Sequence, residues 1–141
     1  GNGMFTFGRR REKECALRYL KDLRQSVLIE SVVDGVHDFL EGQISEEELL
    51  SIISKAFIEG GSGVWEQAGS WLRKLIAEYS QFETLWNDFS DHSEWKVRFK
   101  AACFLNDMSL IMATTIGEKL QRDRSRKVRE MAVARMEEIR S

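Results

Sequence analysis

The chain reads as an all-α protein on three observations. It has no proline in 141 residues, where about seven would be expected at the usual ~5%, so the residue most hostile to long helices is missing. Its apolar residues recur at spacings of three and four, the period of a helix that buries one face. The same apolar pattern also returns in the second half, beginning at Val64, Val97 and Val128. Returns at such intervals mark stacked helical units, none of which buries its apolar face alone.

The elements follow in order. From Cys15 to Leu28, the residues Ala16, Leu17, Leu20, Leu23, Val27 and Leu28 fall on one side of a helix, with Arg18, Lys21, Asp22, Arg24 and Gln25 on the other. Val32, Val33, Val36, Phe39 and Leu40 make a second stripe, ended by Gly42, a residue suited to a helix C-terminus. Ser45 with Glu48 forms a capping box that opens a third helix, whose Leu49, Ile52, Ile53, Ala56 and Phe57 face one way. Gly60, Gly61, Ser62 and Gly63 then break the chain as a loop or hinge, too short for an interdomain linker.

Beyond that loop the first copy carries Val64, Ala68, Trp71, Leu72, Leu75 and Ile76, and Ser80 with Glu83 reads as another capping box. The second copy carries Val97, Ala101, Phe104, Leu105 and Met108 and is followed by a helix around Leu110 to Leu120. The third carries Val128, Ala132, Met136 and Ile139, with Arg135 where the others have an aromatic.

The segments DHSEWKVRFKAACFL (Asp91 to Leu105) and DRSRKVREMAVARM (Asp123 to Met136) share D-x-S, then Val-Arg, then Ala. In this they resemble the first helices of HEAT-like repeats, of the small standalone bacterial type. The resemblance is clearest over residues 62–141. It implies an α-α superhelix of about eight antiparallel helices, HEAT/ARM-like, in which Asp and Arg side chains of neighbouring repeats form a hydrogen-bonded ladder. In the family the Asp and Arg stand six apart: Asp123 and Arg129 have that spacing, while Asp91 and Arg98, the corresponding pair of the preceding copy, stand seven apart. The expected organisation is a cloning remnant and flexible N-terminus over 1–8 and a single helical-repeat domain over 9–141.

Composition excludes several classes. Hydrophobic residues at 43% and charged residues at 31% lie in the globular range, away from disordered, membrane-spanning and collagenous chains. Cys15 and Cys103 are far apart and outside any CxxC, so free thiols in a reducing, cytoplasmic setting are expected. The segment after Arg9, Arg10 and Arg11 has no apolar run of the kind a secretory signal needs, and those three arginines read as a frayed terminus. His37 and His92 belong to no metal-binding spacing, and no nucleophile elbow or phosphate loop occurs. The expectation is a non-enzyme with no metal and no cofactor.

Charge is unevenly placed. Residues 9–24 carry seven bases and three acids, residues 119–140 eight and four, and residues 25–118 six and sixteen. The segments therefore sum to +4, +4 and −10, which matches the total of −2. An acidic body attracts a basic protein and repels nucleic acid. Candidate docking acids are Asp34, Asp38 and Glu41, which share a helix side, together with Glu46, Glu47 and Glu48, which also suit the dipole of a helix start. Trp65 and Trp95 occupy equivalent positions early in successive copies and are candidates for an exposed aromatic platform. The basic run Lys119, Arg122, Arg124, Arg126, Lys127 and Arg129 complements a helix end, with Arg129 set aside for the ladder.

The expected function is a protein-binding module, an adaptor or an immunity protein that neutralises a basic toxin. Two other classes stand beside it. One is a nucleic-acid binder related to HEAT-like DNA glycosylases, disfavoured because the basic ends enclose an acidic body. The other is a structural subunit of a larger assembly.

Overall fold

A computed structural model describes residues 7–141; the expectation for the leader falls largely on residues 1–6, outside the described residues. The described residues form eight α-helices and two short 3₁₀ turns, with no strand. No described helix is long and apolar enough to cross a membrane. The chain divides into two compact units, Gly1–Glu78 and Tyr79–Ser141.

The first unit holds α1 (Arg9–Leu17), α2 (Leu23–Leu40), α3 (Glu46–Glu59) and α4 (Trp65–Glu78). The stripe from Cys15 to Leu28 is therefore not one helix. The chain turns over residues 18–22, and Asp22 caps α2 by accepting the backbone N–H groups of Arg24 at 2.8 Å and Gln25 at 3.2 Å. A cap satisfies donors that a helix start leaves unpaired, and it resets the helix face. Leu23 and Val27, expected inside, are 80% and 53% exposed.

From Leu28 onward α2 buries Ile29, Val32, Val33 and Val36 against α3, which offers Leu49, Ile53, Ala56 and Phe57. Burying side chains of this size stabilises by about 1.5–3 kcal/mol each. Gly42 ends this stretch in the left-handed region, φ 77°, a conformation that glycine adopts without strain. The capping box at Ser45 forms its main bond, Glu48 N–H to Ser45 Oγ at 3.1 Å. α3 then closes at Gly60, where a Cβ would stand 2.3 Å from the Ala56 carbonyl oxygen and 2.6 Å from Val64 Cγ1. Only glycine fits there, and the chain turns into α4, whose Ala68, Trp71, Leu72 and Leu75 complete the core.

The second unit holds a 3₁₀ turn (Ser80–Glu83), α5 (Thr84–Ser90), α6 (Trp95–Cys103), a second 3₁₀ turn (Leu105–Asp107), α7 (Leu110–Leu120) and α8 (Arg126–Arg140). The capping box expected at Ser80 does not form: Ser80 to Glu83 wind as the 3₁₀ turn itself, with Phe82 fully buried. Trp86 stacks on Phe104, ring centres 5.3 Å apart and planes at 27°. α8 packs on both α6 and α7, burying Val128, Ala132 and Met136. Gly117 of α7 lets Met136 approach, since a Cβ there would lie 2.4 Å from its sulfur. Arg135, at the place of an aromatic in the other copies, is half-buried and donates to the Cys103 carbonyl at 3.2 Å.

Candidate functional site

Asp34 and Asp38 share one side of α2, Glu41 caps its C-terminus, and in the folded chain the three carboxylates hold cations. Arg9 donates to Asp38 at 2.8 Å, to Glu41 at 3.0 Å and to Asp34 at 3.3 Å. Lys13, one helical turn on, donates to Asp34 at 3.1 Å. The hydrogen bond that Arg9 donates to Asp38 raises Arg9 above its already high ordinary pKa against an opposing effect of burial.

Arg9 is thus the first residue of a docked helix, not part of a frayed end; the Arg10 side chain, by contrast, is 94% exposed and pairs with Glu14 on its own helix. α1 buries little apolar surface, with only Ala16 and Glu12 inside. Charge is therefore a large share of what seats it on α2. Helices this short are marginal in isolation.

Beneath the ionic row lies a pair that sequence reading missed. Glu12 Oε1 and His37 Nε2 stand 2.5 Å apart, with side chains 9% and 11% exposed. His37 therefore works with a residue twenty-five positions away and not with its neighbour Asp38. Glu46, Glu47 and Glu48 stand in the first turn of α3, where negative charge meets the positive end of the helix dipole.

The second unit has its own clasp. Arg98, 4% exposed, forms a two-pronged bond to Asp123, Nε to Oδ1 at 2.8 Å and Nη2 to Oδ2 at 3.1 Å. Its Nη1 donates to the carbonyls of His92 and Ser93. Burial pushes the Asp123 carboxyl up, but the bonds from Arg98 and from the Ser125 N–H outweigh it and hold Asp123 below its ordinary value. Arg129 donates to the Asp123 backbone carbonyl at 2.8 Å. Asp91 takes a different partner, the Lys119 ammonium at 2.6 Å.

Of the remaining bases, Arg126 pairs with Glu130 and Arg124 reaches the Ser93 carbonyl at 3.4 Å. Trp65, in the first unit, is half-buried and meets Phe57 edge-on at 6.0 Å. Trp95, in the second, is also half-buried and meets Phe99 edge-on at 6.4 Å. Lys96 and Lys127 hold their ammonium groups 6.0 and 5.7 Å from its ring centre. These lysines precede Val97 and Val128 at equivalent places in successive copies.

Among the described residues, Cys15 and Cys103 take part in no disulfide. Among the described residues no group of three His, Cys, Asp or Glu is placed to hold a metal ion. Compared with protein-family models, curated proteins and solved structures, the chain matches none of the three.

Proposed function

We propose that this chain is a non-enzymatic, HEAT-like protein-binding module whose partner is a basic protein. One observation carries the reading: the acidic row of α2 already binds a basic helix. Arg9 and Lys13 lie four residues apart, and both reach carboxylates of that row. A partner helix with arginine or lysine at the same spacing presents the same chemistry to the same groups, and complementary charge speeds its approach.

The HEAT-like part of the reading is supported by the link from Arg98 to Asp123, which ties the Arg of one copy to the Asp of the next. Within this class the fitting role is that of a cytoplasmic bacterial adaptor, or of an immunity protein that caps the phosphate-binding cleft of a toxic nuclease. The test is affinity capture with the native chain and with an Asp34→Asn/Asp38→Asn/Glu41→Gln variant. A basic partner held by the first and weakened about tenfold or more with the second supports the reading; equal retention contradicts it.

A second reading, nucleic-acid binding, is favoured by the two lysines gathered on Trp95, since a stacking ring with flanking cations suits a base and its phosphates. Submicromolar, salt-sensitive affinity for DNA at about 50 mM salt would promote that reading over the first.

A further inference from the structure

The turn between α1 and α2 leaves large apolar side chains uncovered. Tyr19 is 86% exposed, and Leu23 and Val27, in the first two turns of α2, also face water. Yet the stripe to which Leu20, Leu23 and Val27 belong runs on unbroken from Ala16, and no glycine or proline stands between Arg9 and Asp34. The turn itself is held by few bonds. Arg18 N–H reaches the Cys15 carbonyl at 3.4 Å, Leu20 N–H reaches the Leu17 carbonyl at 3.1 Å, and Asp22 caps α2. Arg18, Leu20 and Lys21, which fill it, are good helix formers.

We propose that two copies of this chain exchange α1. In the exchanged form the turn straightens, α1 and α2 become one helix, and the α1 part of each copy seats on the α2 part of the other. The contacts are those made within a single chain: Arg9 and Lys13 on Asp34, Asp38 and Glu41, Glu12 on His37, and the Gln67 amide on the Ala16 carbonyl. A second copy offers every one of these groups, and for that reason exchange of an identical element is a low-cost route to a dimer. What the exchanged form adds is cover for the apolar residues. On a continuous helix Tyr19, Leu23 and Val27 stand four apart, and Leu20 lies three before Leu23, so all four share a side. Two such helices crossing at the former turn bury these side chains against each other, which drives association. The opposing loss is the Asp22 cap, which has no role in a helix that runs through it. The inference goes beyond the basic-partner reading and does not rest on it.

Sedimentation of the whole chain at rising concentration tests the exchange, with hydrogen exchange read on the same samples. The dimer should be half-formed at about 10–100 µM. In it the amides of residues 19–23 join the helix and should become protected, while residues 9–17 stay protected as they were. Asp22→Ala removes the cap and should favour the dimer about tenfold or more. Leu23→Pro should act in the opposite direction. Proline suits the first position of α2 after the extended Asp22, φ −82° and ψ 122°, but inside a continuous helix it loses a hydrogen bond and clashes with the preceding turn. This variant should fold and remain a monomer.

If Leu23→Pro loses its folded circular dichroism spectrum, Tyr19→Gly takes its place and should weaken the dimer about tenfold, since glycine disfavours the straight helix in both copies. A native chain still monomeric at about 1 mM, no gain in Asp22→Ala, a dimer undiminished by Leu23→Pro or its substitute, or a dimer whose residues 19–23 exchange freely overturns the proposal.

Discussion

Arg9 and Arg98 each gather oxygen acceptors from distant parts of the chain, yet their surroundings differ. Arg9 and its acids on α2 are about one-third exposed or more, and the guanidinium is shared among three carboxylates. The Arg98 and Asp123 side chains are 5% and 8% exposed, and the guanidinium is fixed by one carboxylate and two backbone carbonyls. Water and salt reach the first clasp and weaken it, while the second is buried, so removing either partner strands a buried charge. The buried clasp therefore belongs to the fold, and the exposed one is the contact at which we propose that a partner's cation enters.

This contrast is most sharply broken at Asp123. Asp123→Ala should cost the fold about 3–5 kcal/mol, because Arg98 is left without its counter-charge. Chemical denaturation followed by circular dichroism measures it, and a loss below about 1 kcal/mol would erase the distinction between the clasps. The same pair sets an acid limit. Asp123 titrates below its unfolded value, so its contribution is complete above about pH 4 and drains away as pH falls through the lower, folded pKa. Denaturation midpoints should fall over that window, and Asp123→Asn should flatten the decline.

Smaller effects belong to the exposed clasp. Arg9→Ala with Lys13→Ala should cost about 1 kcal/mol or less, confined to α1. Hydrogen exchange should quicken over residues 9–17 and stay unchanged in the Leu28 to Val36 stretch of α2. Raising salt to about 1 M should reproduce that pattern in the native chain. Arg10→Ala, on the solvent side of the same helix, should lie within about 0.5 kcal/mol of the native chain. A larger change would mean that the outer face of α1 also carries contacts.

Much of the fold was legible because its cues are local. The Ser45 cap, the Gly42 stop, the helix from Leu110 to Leu120 and most of the core follow from spacing alone. The break after Leu17 was missed although Asp22 with Gln25 three residues later is itself a capping signal; the apolar stripe runs through it without interruption. Gln25 in fact spends its side-chain oxygen on the Gly61 N–H.

The opposite error occurred at Ser80, where a capping pattern is overridden by the burial of Phe82. Site residues divide the same way. The acids of α2 show their shared side through intervals of four and three, and Arg98 and Asp123 stand at positions the repeat pattern marks. Arg9 and Glu12 reach partners twenty-five or more residues away, and no local pattern encodes such a pairing.

The most direct test of the acidic row is competition for it. The whole chain is mixed with an excess of a synthetic peptide spanning Gly8 to Leu20, which carries Arg9 and Lys13 at their native spacing, and exchange is read by mass spectrometry. At low salt the peptide should displace the native α1, so that exchange over residues 9–17 quickens while α2 and α3 stay protected. Unchanged exchange of α1 at saturating peptide would contradict the view that this row accepts a basic helix from a partner.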